Sequence, residues 1–541
     1  MLLEKRFQEC THNSSYTARR NMTNDIVVFE SCHNILFSGD DNELFNENIT
    51  PINKKKSLKN YEDLISVDRI MENEKRKNEL ICEEILEKLG SYNPYSLFIM
   101  ISMAILWALA AMNLMISAFI VDLTYANTSS NNIIDTFQLI EDKSYLVNMF
   151  SSSFMFGSVI GGIVIPIFAD YFGRKTNVGW CTFILGAAGC GIAFVNKYYH
   201  VLILRFIQGV AFHGTIATNW VLSYESVSIK IRSFSALIFG VIWVVGYCVI
   251  APLAYYFTDW RDFCFFTALP TLIFSFIVFA TIPESLGFLI YKKRMDDIKK
   301  WLKYNKKFSK FFGKKNFIDI DNLINSISNN TNESRIEDTE KLSIIRKVAN
   351  FFTTKKILFL NLIIFAFVWT TDTVIYYALS FFSTNLSGNM YINYVLSGLV
   401  ECPSYLVVPF FLDYFGRKGL TFIMHFIASI ALFLGLIIGQ DQHIIYLLIW
   451  LTGKFCISCT FTSIFVYGSE IFPTSYRNVL LGFCAVISRF GGIIAPFSKS
   501  LDVLWPKASI ALFASIALLA ALLSLILPET GKIKTFIRKK K

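Results

Sequence analysis

Charge is what this chain has least of. Only 17% of its 541 residues are Asp, Glu, Lys or Arg, 54% are hydrophobic, and the mean hydropathy is +0.47. Soluble domains usually stand near a quarter charged. Other absences remove whole chemistries. There is no G-x-x-x-x-G-K-[ST] phosphate loop, so nothing in the sequence supports ATP-driven pumping. No Cys/His spacing fits a metal, and no G-x-S-x-G elbow offers a serine nucleophile. The cysteines fall mostly in apolar runs or near the N-terminus, with none at 122–146, so no disulfide framework is visible. The opening MLLEKRFQEC lacks the apolar core of a signal peptide. The chain reads as no enzyme, and no cofactor is expected.

What the chain has instead is long apolar runs, each sufficient for a bilayer at about 20 residues. Twelve are expected, at 95–121, 147–169, 178–196, 201–223, 234–256, 263–283, 357–378, 393–412, 419–439, 443–467, 478–498 and 507–527. Backbone groups in lipid must pair internally, so these are helices. The fold class expected is an all-α membrane protein.

The basic residues orient it. Residues 291–357 hold 17 Lys and Arg against 8 Asp and Glu, nearly the whole formal charge of +10. By the positive-inside rule this segment is cytoplasmic, and the basic balance marks a membrane face rather than a nucleic-acid partner. Both termini are then cytoplasmic. Residues 1–80 are polar and are expected to be a disordered extension. Residues 80–90 alternate apolar and acidic at helical spacing and are expected along the inner membrane surface. Asn127 in Asn-Thr-Ser, at 122–146, is the candidate glycosylation site.

The sextet DYFGRK occurs at 170–175 and again at 413–418, 243 residues apart. Two further pairs keep nearly that offset. Glu225 and Arg232 match Glu470 and Arg477 at 245 residues, and Pro-Glu at 283–284 matches Pro-Glu at 528–529 at the same 245. The chain therefore reads as two six-span halves, 81–290 and 357–528, joined by a basic linker at 291–356 and ending in a basic tail at 529–541. Such halves point to a transporter with its site between them. The sextets read as short loops at the inner mouth. Asp170, Arg174, Lys175, Asp413, Arg417 and Lys418 can pair there with Glu225 or Glu470, so these eight residues with Arg232 and Arg477 form a candidate cytoplasmic gate. The alternative is a pair of loops that are basic only to stay inside.

The repeated sextets, with RFIQGVAFHG at 205–214, resemble the major facilitator superfamily. EEILEKLG at 83–90, YYALSFFSTNLSGNMYINYVLSGLVECP at 376–403, GSEIFPTSYRN at 468–478 and CAVISRFGGIIAPF at 484–497 resemble its organic cation and anion transporter family, solute carrier family 22. The resemblance spans roughly residues 82–531. It implies twelve helices, alternating access and small organic ions as substrates. Three departures stand out. Pro166 and Pro409 replace the usual Gly of the loop motif. Leu286-Gly287 replaces Pro-Arg. The 122–146 segment is far shorter than the family's ectodomain.

Charges inside spans are costly and are read first as functional. Arg489, Lys454, Glu401 and Asp372 are the candidates, with Trp369, Tyr376 and Tyr377 as aromatic faces for a quaternary ammonium. The resemblance implies that Arg489 stands where anion or zwitterion carriers keep an arginine. Both signs in one cavity would suit a carnitine-like zwitterion, the favoured substrate. The alternative is mutual neutralisation, Glu401 with Lys454 or Asp372 with Arg489. Arg205 reads as structural; His213 and His425 read as packing or as proton carriers. Coupling to Na+ or H+ stays open. A sugar carrier of the same superfamily is the rival, weakened by the absence of Gln from spans 5 and 7. A transporter-like sensor that moves nothing is the second. The partners expected are a small organic ion and the bilayer, at the plasma membrane, with no obligate protein partner.

Overall fold

The computed structural model describes residues 80–90, 92–121, 131–139, 143–311, 356–439, 441–473, 477–503 and 505–531. Asn127 and nearly all of the 1–80 extension lie outside these residues. Among the described residues the one β pairing is an isolated bridge between Asn131 and Asp259; helices form the rest of the architecture.

Span 1 runs Pro94–Met115 and continues as Ser117–Ile120. Asn93 starts it by accepting from the Tyr95 N–H at 2.9 Å, and Pro94 fills the position that needs no donor. Spans 2 to 6 are Ser144–Phe172, Arg174–Ile192, Tyr198–Ser226, Ile229–Tyr256 and Trp260–Thr281. The second half opens with span 7, Lys356–Phe381. Span 8 begins as Met390–Leu399 and enters Glu401–Ile437, a single assigned helix that turns sharply at Gly416 and therefore also contains span 9. Spans 10 to 12 are His443–Ile471, Arg477–Ile494 and Ala508–Ser524. Among the described residues, 9 segments are long and apolar enough to cross a membrane. One of them, Met390–Ile437, has 48 residues and is the two spans just named. Arg174–Ile192 and the shorter apolar Ala508–Ser524 complete twelve.

Spans 2, 3 and 4 pack together, span 3 lies on span 6, and span 5 on span 1. In the second half, the Glu401–Ile437 helix lies against spans 10 and 12, and span 7 against span 11. The halves meet where span 2 packs on span 11 and span 5 on span 8.

Two expectations need adjusting. The sextets are not loops. Asp-Tyr-Phe ends span 2, one glycine breaks the helix, and Arg-Lys begins span 3. The linker, expected only as a basic segment at 291–356, also carries a helix. Met295–Phe311 is a helix that buries Ile298, Trp301, Leu302 and Asn305. Trp301 packs edge-on to Tyr95 at 5.5 Å, and the Asn93 amide donates to Asn305 at 3.1 Å, so this helix docks on the start of span 1. Its lysines face outward, as expected for a charged face beside a membrane end. Pro166 and Pro409 both sit within helices, in spans 2 and 8.

Candidate functional site

The two sextets build matching charge networks at what we term the basic end. Gly173 has φ +106° and ψ 157°, and Gly416 has φ +75° and ψ 177°. This region of backbone space is essentially glycine-only. A Cβ at Gly416 would also come within 2.7 Å of the Glu529 carboxylate, and one at Gly173 would strike Glu284. These close approaches serve a purpose. Glu284 Oε1 accepts from the backbone N–H groups of Arg174 at 2.9 Å, Lys175 at 3.0 Å and Ser285 at 2.9 Å. Glu529 Oε1 accepts from Arg417 N–H at 3.0 Å and Gly531 N–H at 2.9 Å. A carboxylate at the helix start satisfies orphan donors and meets the positive end of the dipole. Burial raises the Glu284 carboxyl above the ordinary range, while those three N–H groups and the Arg174 charge pull it back down.

The arginines extend both networks. Arg174 lies 3.1 Å from Asp170 and 3.7 Å from Glu225, and Glu225 also accepts a hydrogen bond from the Ser285 hydroxyl. Arg417 grips Glu470 through two nitrogens, at 2.9 and 3.1 Å, and Thr530 donates to the same carboxylate at 2.7 Å. Each network ties spans 2, 3, 4 and 6, or their counterparts, within one half. Asp170 is 75% exposed and Asp413 is exposed too. Lys175 and Lys418 are half-buried. Arg232 does not join Glu225; it pairs with Glu83 at 3.0 Å and anchors the helix through 80–89. Among the described residues, the Arg477 guanidinium donates to Phe472 O, at the end of span 10, at 3.4 Å.

At mid-depth the ionisable side chains sort into pairs. Lys454 and Glu401 meet at 2.9 Å with neither exposed. The Lys454 ammonium also donates to Ser380 Oγ at 2.5 Å and lies 3.4 Å from the centre of the Tyr376 ring. Tyr376 OH donates to Glu401 at 3.1 Å and accepts from Trp243 of the other half at 3.2 Å. Asp372 meets His425, not Arg489, at 3.1 Å. Arg489 is half-buried and reaches across the midline to donate to Ser158 of span 2 at 3.2 Å. Tyr377 and His213 lie within its electrostatic reach. Among the described residues, no carboxylate lies within ion-pair distance of Arg489. Trp369 is brought elsewhere: it is buried in a second core cluster between Phe365 and Phe465. Arg205 is buried under Phe150 and Phe154, donating to Asn113 O, Ser117 Oγ and Gln208 Oε1 at 2.8–3.0 Å, a structural arrangement.

Further contacts join the halves toward the opposite end. Ser152 donates to Ile493 O at 2.8 Å, and Asn148 to Ser500 at 3.2 Å. Thr384 donates to Ala118 O at 3.2 Å, and the rings of Tyr247 and Tyr394 stack at 4.5 Å.

The family model of the major facilitator superfamily matches residues 96–496. The chain belongs to that superfamily. It is a multi-pass membrane transporter, not an enzyme. A Caenorhabditis elegans protein named as a transporter is 34% identical over 84% of this chain and 89% of its own length. The Drosophila melanogaster organic cation transporter protein is 28% identical over 74% of this chain and 72% of its own. Rat organic anion transporter 3 is 27% identical over 75% and 74%. The inward-open xylose transporter XylE from E. coli matches in fold, with TM-score 0.59 and 16% identity over 80% of this chain and 97% of that one. Among facilitator folds, the twin glutamates Glu284 and Glu529 were the residues that sequence reasoning passed over. Their signal is the repeated Pro-Glu at 283–284 and 528–529, which by itself marks only the duplication of the halves.

Proposed function

We propose that this transporter carries small organic anions, with Arg489 as the group that binds them, by rocking its two halves about the seam where Arg489 meets Ser158. The observation that carries this reading is the sorting of charge. Lys454 is held by Glu401 and Asp372 by His425, so neither carboxylate is free for a cationic substrate. Among the described residues, Arg489 has no carboxylate partner, and it stands at the seam between the halves. A carboxylate about 4 Å from it gains roughly 4 kcal/mol at an effective dielectric of about 20. A guanidinium also offers two parallel donors to a carboxylate. Both organic cation and organic anion transporters stand among the relatives, which supports an organic ion and leaves its sign to the site.

A carnitine-like zwitterion needs an anionic or aromatic seat for its cationic end as well. The Tyr376 face is already occupied by Lys454, which weakens that reading. The positive-inside rule supports a cytoplasmic basic end, with both termini on that side, and we place the protein at the plasma membrane. The test is uptake into cells expressing the protein, with labelled benzoate, carnitine and tetraethylammonium in parallel. Saturable benzoate uptake alone is expected. Carnitine uptake alone would restore the zwitterion, and tetraethylammonium uptake alone would remove Arg489 as the anchor.

A further inference from the structure

Asp372 on span 7 and His425 on span 9 form a second fully buried pair, with Oδ1 and Nε2 3.1 Å apart and neither side chain exposed. His425 Nδ1 lies 2.9 Å from the Thr421 carbonyl. A carbonyl only accepts, so Nδ1 carries a proton and Nε2 faces the acid. Thr460 of span 10 places its hydroxyl 2.5 Å from Asp372 Oδ1 and 2.9 Å from the Ile457 carbonyl. That hydroxyl has one proton for two acceptors. Asp372 Oδ2 is buried and has no hydrogen-bond partner among the described residues.

The protons can be counted. Suppose Nδ1 carries the only proton on the imidazole and Asp372 is ionised. A ring lone pair then faces a carboxylate, and a net negative charge stands inside a span. An isolated buried charge of this kind costs several kcal/mol. One more proton, on Nε2 or on Oδ1, removes both problems, as imidazolium with carboxylate or as imidazole with carboxylic acid. Both forms are neutral, so the dyad in this geometry holds one proton beyond that on Nδ1.

The surroundings offer no substitute. Span 12, Ala508–Ser524, has no ionisable side chain. On span 10, Lys454 is held by Glu401 of span 8, and Cys456 and Cys459 are buried. Span 11 supplies Arg489 and the buried Cys484, and span 7 supplies Tyr376 and Tyr377. On span 9, Arg417 and Lys418 stand at the basic end, where Arg417 is bound to Glu470. Among the described residues, His425 is the one basic side chain within ion-pair distance of Asp372.

We propose that the Asp372–His425 dyad is a proton-binding site whose occupancy is linked to the carrier's conformational cycle, making H+ the coupling ion. Span 7 is the link. One turn beyond Asp372 it carries Tyr376, which holds Glu401 and accepts from Trp243 across the midline. Loss of the proton forces the dyad apart and shifts the turn that joins the halves. A proton bound more tightly in one state shifts the balance between states, and the balance shifts proton affinity in return.

The test needs no organic substrate, so its failure is distinct from failure of the anion reading. Purified full-length protein in liposomes is titrated by infrared difference spectroscopy, and the thiol-labelling rate of a Tyr414→Cys variant, at an exposed position of the basic end, is followed over the same pH range. A titrating carboxyl or imidazolium band is expected in the wild type, absent from Asp372→Asn and His425→Gln, with a labelling rate that changes several-fold at the same midpoint. Thr460→Val removes one hydroxyl and no charge, and it should shift that midpoint; this variant decides the matter if the other two fail to fold. An unchanged midpoint in Thr460→Val, or a band identical in all variants, overturns the proton site. A band that disappears while labelling stays independent of pH overturns the coupling.

Discussion

Glu401 Oε1 and Lys454 Nζ meet 2.9 Å apart, and neither side chain reaches solvent. The pair ties span 8 to span 10 and takes Tyr376 of span 7 into the same cluster. Removing one partner of such a pair leaves a buried charge alone, at about 3–5 kcal/mol. Glu401→Gln and Lys454→Met are each expected to lower thermal stability strongly, and the combined variant to regain most of the loss. Melting of the purified protein measures this. A double variant no better than the worse single one would show that the two charges do not act as a unit.

Arg489→Gln removes the unpaired charge and should cut benzoate uptake at least tenfold while leaving surface level unchanged. Arg489→Asp should go further, repelling benzoate and admitting tetraethylammonium. Cell-surface labelling beside uptake checks both. Benzoate uptake within twofold of wild type in either variant would take Arg489 out of the binding site.

The glutamate caps should matter more than the exposed aspartates. Glu529→Ala leaves the Arg417 and Gly531 N–H groups without their acceptor, and Glu284→Ala does so for Arg174, Lys175 and Ser285. Loss of an N-cap acceptor costs about 0.5–2 kcal/mol. Gly416→Ala adds backbone strain of order 1–3 kcal/mol. Lower melting temperatures are expected for all three, with Gly416→Ala and Glu529→Ala together less than additive because both disrupt one contact.

Asp170→Asn and Asp413→Asn change side chains at the exposed surface. Asp170 contributes an i,i+4 pair with Arg174, worth about 0.5 kcal/mol or less. Melting should barely move in the double variant. If these aspartates belong to a gate, labelling of a basic-end cysteine will change even so; equal labelling would leave them as topology anchors.

Much of this protein is legible in its sequence for a simple reason. A span must be apolar along its whole length, so the helices appear in one dimension, and a duplicated half leaves repeated strings. The apolar runs matched the helices within a few residues, apart from span ends where helices continue into charged sequence, as at Arg174 and Ile229. Those ends were lost because hydropathy detects lipid contact, not hydrogen bonding. DYFGRK looked like a loop for the same cause: three charges in six residues conceal a helix, one glycine and another helix.

The charged residues themselves, Arg489, Lys454, Glu401 and Asp372, were visible as exceptions in apolar surroundings. Of the two neutralising pairs the sequence offered, Glu401 with Lys454 forms and Asp372 with Arg489 does not, because Asp372 meets His425 instead. Asp372 lies 53 residues from His425 and 88 from Thr460, and Glu401 lies 53 from Lys454. Trp369 and Tyr376 are seven residues apart on one helix, yet one packs in a core and the other bridges the halves. The sequence alone determined a twelve-span duplicated carrier with a basic face, because lipid and repetition act locally along the chain. Only the tertiary structure decided which charges are spent on each other and which one remains, because that depends on distances between helices set by packing.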